Sequence, residues 1–290
     1  MGYVSASNTP TVLQSFSYGT ATGGIGSPTA VTINSINYQY LQFNATGTLT
    51  VTTAGWFDYC LIGGGNGSIH WTQAGVGNSG GGSGVVLVGS VYLSANCTIT
   101  IGAGSGIVIF NAESNKATSS SIGAPSPFAI TAGGAVGTIT FNPPYRGVSY
   151  QRLGGGYGSI NQASSNTTTN NDYGFLGGNS NANDSAGGGG GNTGAGQNPV
   201  TTTGGAGGAG FDVSAFIGGS TLVKATGGGG GGSGAGGAGG SSNACTNNGS
   251  ATSTPQSAAA NTGAGGGGGF GTTQTTGAGG SGICYIRFGV

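Results

Sequence analysis

Along the first half of the chain, apolar and polar residues alternate with a period of two in short runs, the pattern of strands that bury one face. YQYLQF (Tyr38 to Phe43) and TLTVTT (Thr48 to Thr53) flank a short NATG turn, and this arrangement predicts a hairpin. In the second run Leu49 and Val51 alternate with threonines. WFDYCLI (Trp56 to Ile62) is apolar almost throughout, which predicts a central strand covered on both faces. Further strands are predicted at VVLVGSVYL (Val85 to Leu93), CTITI (Cys97 to Ile101), IVIF (Ile107 to Phe110), PFAIT (Pro127 to Thr131), GTITF (Gly137 to Phe141), STLVKAT (Ser220 to Thr226) and ICYIRF (Ile283 to Phe288). No stretch carries apolar residues at i, i+3, i+4 and i+7 over several turns, and each interior glycine costs a helix about 1 kcal/mol, so the expected class is all-β.

Between Leu176 and Gly282 this alternation gives way to glycine runs: Gly187 to Gly191, GGAGGAG (Gly204 to Gly210), GGGGGGSGAGGAGG (Gly227 to Gly240) and GAGGGGG (Gly263 to Gly269). They recur in composition without a fixed period, and the absence of a strict Gly-X-Y triplet excludes collagen. Glycine has the most conformational entropy to lose, so a flexible linker is the simplest reading of such runs. Two features oppose it. Short strand-like pieces separate the runs, and the chain closes on ICYIRFGV, a strand that must return to the core. The runs are therefore expected to be loops of one domain. Their Gly and Ala content suits close backbone contact, and three-residue-per-turn extended helices laid side by side satisfy each other's N–H and C=O groups. At about 3.1 Å per residue, Gly227 to Gly240 as one rod would span about 40 Å. Residues 1–36, polar and rich in turns, are read as an N-terminal attachment arm. Residues 37–290 are read as a glycine-rich β domain, with its glycine-rich loops mainly within 176–282.

Charge narrows the partners. Only 3% of the 290 residues are charged and the formal net charge is zero. The cations Lys116, Arg146, Arg152, Lys224 and Arg287 are scattered, so no basic patch exists for phosphates or an anionic membrane, and neither nucleic acid nor membrane insertion is expected. The 11 Tyr, 11 Phe and 2 Trp set the chain apart from solvated disordered sequences. The N-terminus MGYVSASNTP lacks the basic and apolar regions of a signal peptide, so release from a cell is expected by lysis or by a route the sequence does not show. Cys60, Cys97, Cys245 and Cys284 are too few and too scattered for a disulfide scaffold and are expected as buried thiols, their pairing left open.

Candidate chemistry is sparse, and an enzyme is not expected. Gly77, Asn78, Ser79, Gly80 and Gly81 match G-x-S-x-G with Asp58 and His70 nearby, but a nucleophile elbow needs a strand-to-helix turn that the sequence does not offer. His70 is the sole histidine and the cysteines lack C-x₂-C spacing, which leaves zinc without ligands. Neither Lys116 nor Lys224 follows a glycine, so no Walker-type loop is present and no cofactor is expected. The acids Asp58, Glu113, Asp172, Asp184 and Asp212 stand far apart in sequence, and nothing points to a glycosidase pair. The N-x-[ST] sequons at Asn44, Asn66, Asn96, Asn166, Asn183 and Asn248 are expected by chance in so Asn-, Ser- and Thr-rich a chain.

The most binding-like segment runs from Phe141 to Phe175. It carries Tyr145, Arg146, Tyr150, Arg152, Tyr157 and Tyr173 among Gly, Ser and Asn, a mixture that supplies rigid amphipathic contact area and adaptable hydrogen bonds. The same tyrosines could equally cap one end of the β domain or fill a subunit interface. His70 and Trp71, in SIHWTQAG, form a weaker candidate, for which a tucked-in Trp71 is the simpler explanation.

The layout GTLTVTTAGWFDYCLIGGG (Gly47 to Gly65), VVLVGSVYLSANCTITIGAG (Val85 to Gly104), SSSIGAPSPFAITAGG (Ser119 to Gly134), LVKATGGGGGGSGAGGAGG (Leu222 to Gly240) and GAGGSGICYIRF (Gly277 to Phe288) resembles the glycine-rich adhesin and tail-fibre tip proteins of tailed bacteriophages. That resemblance implies a jelly-roll-like β-sandwich packed against polyglycine II helices, displayed at the virion surface and binding a host glycan or outer-membrane protein. A homotrimer attached to other virion proteins through the N-terminal arm is expected with it. TAGWFDY departs from the usual valine- or proline-led approach to the first glycine cluster, and Ser241 to Thr262 dilutes the glycine tracts. Two other readings stay open: a capsid decoration or head-fibre protein, and a secreted glycine-rich matrix or ice-binding protein.

Overall fold

Strict alternation forces a strand to present one side chain set to each face, and in this protein both sets find partners. The computed structural model describes residues 17–70, 76–106, 108–109, 116–123, 129–135, 150–152, 175–180, 185–240, 255–271 and 276–290. Its strands are β1 (Thr20–Thr22), β2 (Thr29–Ile33), β3 (Ile36–Phe43), β4 (Gly47–Thr53), β5 (Gly55–Ile62), β6 (Ile69–His70), β7 (Val86–Leu93), β8 (Cys97–Thr100), β9 (Val108–Ile109), β10 (Ser120–Gly123), β11 (Ala129–Ala132), β12 (Tyr150–Arg152), β13 (Phe211–Asp212), β14 (Val223–Lys224) and β15 (Ile283–Gly289). Helix is confined, among the described residues, to the single turn α1 (Ser214–Ile217). The expected all-β class is what the protein adopts.

Two antiparallel sheets form the body, one ordered β1-β4-β8-β10-β11 and the other β12-β7-β5-β15-β3-β2. Between them lies one apolar core. Leu49, Cys97, Ile99, Ile122 and Ile130 of the first sheet meet Leu41, Phe43, Phe57, Tyr59, Leu61, Leu87, Val91, Ile286 and Phe288 of the second, all of them buried. The Phe57 and Phe288 rings pack edge to face at 5.8 Å.

The predicted hairpin of Tyr38 to Phe43 with Thr48 to Thr53 does not form. β3 pairs with β15 and β2, whereas β4 pairs with β1 and β8 in the opposite sheet. The chain crosses between layers at residues 44–46, because Phe43 and Leu49 both belong to the core and must face it from opposite sides. A hairpin does exist just upstream, between β2 and β3. Ile33 pairs with Ile36, and Asn34 and Ser35 between them have φ of 51° and 65°, the left-handed two-residue turn that matches strand twist. Upstream of residue 36, β1 and β2 are strands of the two sheets; residues 1–16 lie outside the described residues.

The glycine runs continue straight out of the strand ends. β5 leads into Gly63, β8 leads through Ile101 into Gly102, and β7 and β15 are entered from Gly84 and Gly282. The runs lie alongside one another, and their backbone hydrogen bonds repeat every third residue. The N–H groups of Asn78, Gly81 and Gly84 donate to Gly269, Gly266 and Gly263, while those of Gly80 and Ser83 donate to Gly187 and Gly190, at 2.7–3.1 Å. Ala186, Gly189 and Asn192 donate to Gly231, Gly228 and Ala225; Gly227 and Gly230 donate to Gly208 and Gly205. Successive residues of one run thus address different neighbouring runs. Runs from the first half of the chain, including Gly63 to Ser68, take part as fully as those after Leu176.

Two expectations are corrected by this register. Gly227 to Gly240 is not one rod, because the chain reverses near Ser233, where Gly234 and Ala235 donate to Thr202, and Gly237 and Gly240 pair back onto Gly230 and Gly227. The runs also have a period after all, carried by alanine. Ala206 and Ala209, and again Ala235 and Ala238, fall three apart at positions with solvent access, whereas the uninterrupted runs Gly187–Gly191 and Gly227–Gly232 are buried throughout. None of those interior glycines has a positive φ, so space and not backbone conformation selects them. A Cβ at Gly228 would collide with the Gly266 carbonyl, and one at Gly189 with the Gly81 carbonyl.

Gly228→Ala is therefore expected to destabilise the protein by about 3 kcal/mol, with the run displaced from its neighbours. Gly106→Ala, where an added Cβ meets nothing within 4 Å, should stay within about 0.5 kcal/mol. Urea denaturation of the two variants checks the contrast.

Candidate functional site

The outward-facing positions of the six-stranded sheet change character along its length. In β5, β7 and β15 the half next to the glycine bundle is apolar: Cys60, Ile62, Val86, Val88, Ile283 and Tyr285. Segment 211–225 covers it, packing Val213, Phe216 and Ala225 into a second core. Asp212 holds this cover closed by accepting the N–H groups of Ser214 at 2.9 Å and Leu222 at 3.0 Å. Burial, the largest single influence, raises the carboxyl pKa, but the hydrogen bonds from Ser214 and Leu222 together outweigh it and leave the group below its ordinary value. Cys60, the thiol in this core, is pushed up to about 12 by burial, which the nearby Arg287 charge only partly offsets.

The far half of the same face is open. Arg287 and Asp58 stand opposite one another in the β15–β5 ladder and form an ion pair of 2.9 Å, with side chains only 15% and 14% exposed. The Asp58 carboxylate also accepts the Ser90 hydroxyl at 2.6 Å and the Tyr18 phenol at 3.2 Å. The guanidinium lies 4.4 Å from both the Tyr38 and the Phe216 ring centroids and donates to the Phe216 carbonyl at 2.9 Å, so it ties the cover to the sheet. Burial, then the Asp58 charge and Tyr38, raise the Tyr18 phenol well above its usual range. Its ring lies over Gly289, where a Cβ would come within 2.6 Å of it. Beside this polar centre, Trp56 and Tyr92 pack edge to face at 5.9 Å, and Tyr18 and Tyr38 do so at 6.0 Å. Tyr92 is 54% exposed and Tyr18 36%.

Of the residues expected to bind a receptor, Tyr150 and Arg152 lie in β12, the edge strand paired with β7, opposite Val88 and Val86. Tyr145, Arg146, Tyr157 and Tyr173 lie outside the described residues, as does Trp71; His70 ends β6. Ser79 of the G-x-S-x-G match is fully buried inside the glycine bundle, while Asp58 is engaged on the sheet face, so the two do not meet. Asn66, one of the sequons, is fully buried with its amide bonded to Ala135 O and Ala117 N. Cys60, Cys97 and Cys284 are free and buried, with burial raising Cys97 to about 11 and Cys284 well above its ordinary value; Cys245 lies outside the described residues. Among the described residues, no three His, Cys, Asp or Glu side chains gather where a metal could be held, and no helix is long and apolar enough to cross a membrane.

A family model described as a glycine-rich domain matches residues 44–289. The chain belongs to the glycine-rich domain family. The matched span takes in β4 through β15 with the glycine runs and leaves β1, β2 and β3 before it. No curated protein and no solved structure matches the chain. In this glycine-rich domain the open aromatic and ionic face was missed by sequence reasoning, which read Trp56 to Ile62 as covered along its whole length. The signal was present in the outward positions, which change from Ile62 and Cys60 to Asp58 and Trp56, and from Val86 and Val88 to Ser90 and Tyr92.

Arg287→Met is expected to destabilise the glycine-rich domain by about 3 kcal/mol, since it strands a mostly buried carboxylate. The double variant with Asp58→Asn should recover at least half of that loss. Equilibrium denaturation of the two proteins measures the difference.

Proposed function

We propose that this glycine-rich domain is a bacteriophage virion surface protein, a tail-fibre tip adhesin that binds a host-cell glycan or outer-membrane protein without chemistry. In this reading the layered body is a jelly-roll-like sandwich and the runs are polyglycine II helices, assembled as a homotrimer held to the particle through the N-terminal arm. The observation that carries the proposal is the period-three hydrogen bonding of glycine runs too tightly spaced to admit a Cβ. It supports a stiff scaffold, and a stiff scaffold lowers the ordering cost of presenting a receptor-binding surface. Tyr150 and Arg152, with Tyr145, Arg146, Tyr157 and Tyr173, are proposed to contact the receptor.

One observation favours a second reading, a secreted matrix or ice-binding protein. On the outer face of the five-stranded sheet, Thr48, Thr50, Thr52 and Thr98 are exposed, with Thr48 opposite Thr98 and Thr22 opposite Thr50 in register. Such rows form an uncharged array of hydroxyl and methyl groups spaced by the strand separation of about 4.8 Å.

Labelled protein mixed with a panel of bacterial strains is expected to adsorb saturably to a subset of them. Replacing Tyr150 and Arg152 together by Ala should weaken that adsorption at least about tenfold. Absence of adsorption to every strain, together with shaping of ice crystals in a cooled drop, would instead support the second reading.

A further inference from the structure

We infer that the open half of the six-stranded sheet's outer face is a second binding site, one for a neutral oligosaccharide, with Trp56 and Tyr92 as its stacking surface and Tyr18 and Tyr38 extending it. The inference rests on the adhesin reading for its biological setting, but the site's chemistry stands on the face itself.

The rings follow one another across the sheet. Tyr92 is opposite Trp56 in the β7–β5 ladder, Tyr18 bridges to Trp56 on the other side, and Tyr38 lies beyond it opposite Gly289. Three inter-strand spacings make this row about 14 Å long, the reach of several linked sugar rings and not of one. An aromatic ring with one apolar face and a wet edge suits the C–H face of a pyranose, and the exposure of Tyr92 and Tyr18 leaves that contact area uncovered. The row of side chains beside the rings on the same face is polar and not aliphatic: Ser90, Asp58 and Arg287. They are also fixed, because Asp58 accepts from Ser90, Tyr18 and Arg287 simultaneously.

Charge selects the ligand class. Asp58 and Arg287 neutralise each other within the face, so an anionic polymer gains no net attraction and meets a carboxylate already engaged. A polyhydroxylated neutral chain needs only the ring faces and the hydroxyls of Ser90 and Tyr18, which retain lone pairs while donating to Asp58. An aliphatic-rich partner finds no matching side chains there. Pre-set geometry limits the entropy lost on binding.

The test uses the full-length protein on an array of bacterial-type oligosaccharides, neutral hexose and N-acetylhexosamine chains beside uronate- and phosphate-bearing ones. Retention of a neutral member is expected, weakened at least about tenfold by Trp56→Ala and by Tyr92→Ala. Because the chain has only two tryptophans, Trp71→Phe leaves Trp56 as the sole indole, and the retained sugar should shift its emission saturably. Preference for acidic chains, unchanged retention in the Trp56 and Tyr92 variants, or a Trp56→Ala change in oligomer mass that marks the face as a subunit contact would each overturn the site. Cell adsorption separates this from the adhesin reading. Adsorption that survives Trp56→Ala at full strength, with no sugar retained, sinks the site alone; sugar retention without adsorption to any strain keeps the site and sinks the adhesin.

Discussion

The buried N–H and C=O groups of the glycine runs must find partners on neighbouring segments, because water does not reach them. That requirement, met by a three-residue period, governs the rest of the structure. A period of three sends each run's bonds to several neighbours, so a run such as Asn78 to Gly84 is shared among partners distant in sequence, at 187–190, 228–231 and 263–269. Contacts of this kind bring backbones closer than any Cβ permits. Glycine is selected here by what it lacks, and the selection is local: runs with a solvent side admit Ala206, Ala209, Ala235 and Ala238.

The sheets and the bundle are one construction. The bundle inherits its register from the strands that feed it, since Ile62, Val86 and Ile283 are aligned in adjacent ladders, with Gly63 and Gly282 next to Ile62 and Ile283 in the chain and Gly84 one residue further from Val86. In return the bundle closes one end of the core, with Gly63 donating to Val85 and Val85 to Gly133. The opposite end, away from the glycine, is where the outer face of the large sheet opens and where the scarce charges are used. With so few ionisable side chains, the pair of Asp58 and Arg287 does several things: it fixes the β5–β15 ladder, anchors α1 through Phe216 O and orients Tyr18 and Tyr38.

The strands rich in apolar and β-branched or aromatic residues were legible in the sequence, among them Trp56 to Ile62, Val85 to Leu93 and Ile283 to Phe288, because strand-forming composition is a local property. Their pairing was not. Phe43 and Leu49 face one core from two layers, and nothing between Asn44 and Thr46 distinguishes a crossing from a hairpin turn. β1 and β2 escaped notice because threonine-rich edge strands look like polar turns, although the left-handed Asn34 and Ser35 pair was a readable hairpin signal. The glycine runs were legible as ordered loops but not in their path, since the reversal near Ser233 depends on Thr202 from elsewhere in the chain. For the same reason the open aromatic face was hidden: its residues come from four segments far apart in sequence, and only the cover at 211–225 shows where it ends.

The central claim, that the glycine runs are locked by backbone bonds and are not solvated loops, is tested most directly by hydrogen exchange of the intact protein followed by peptide mass analysis. The hydrogen-bonded amides of Gly227, Gly228, Gly230 and Gly231 are predicted to exchange as slowly as those of Ile283 to Phe288, with Ser233 and Ala235 at the exposed reversal faster. Exchange of Gly227 to Gly232 at the rate of an unstructured peptide, while β15 stays protected, would contradict the account.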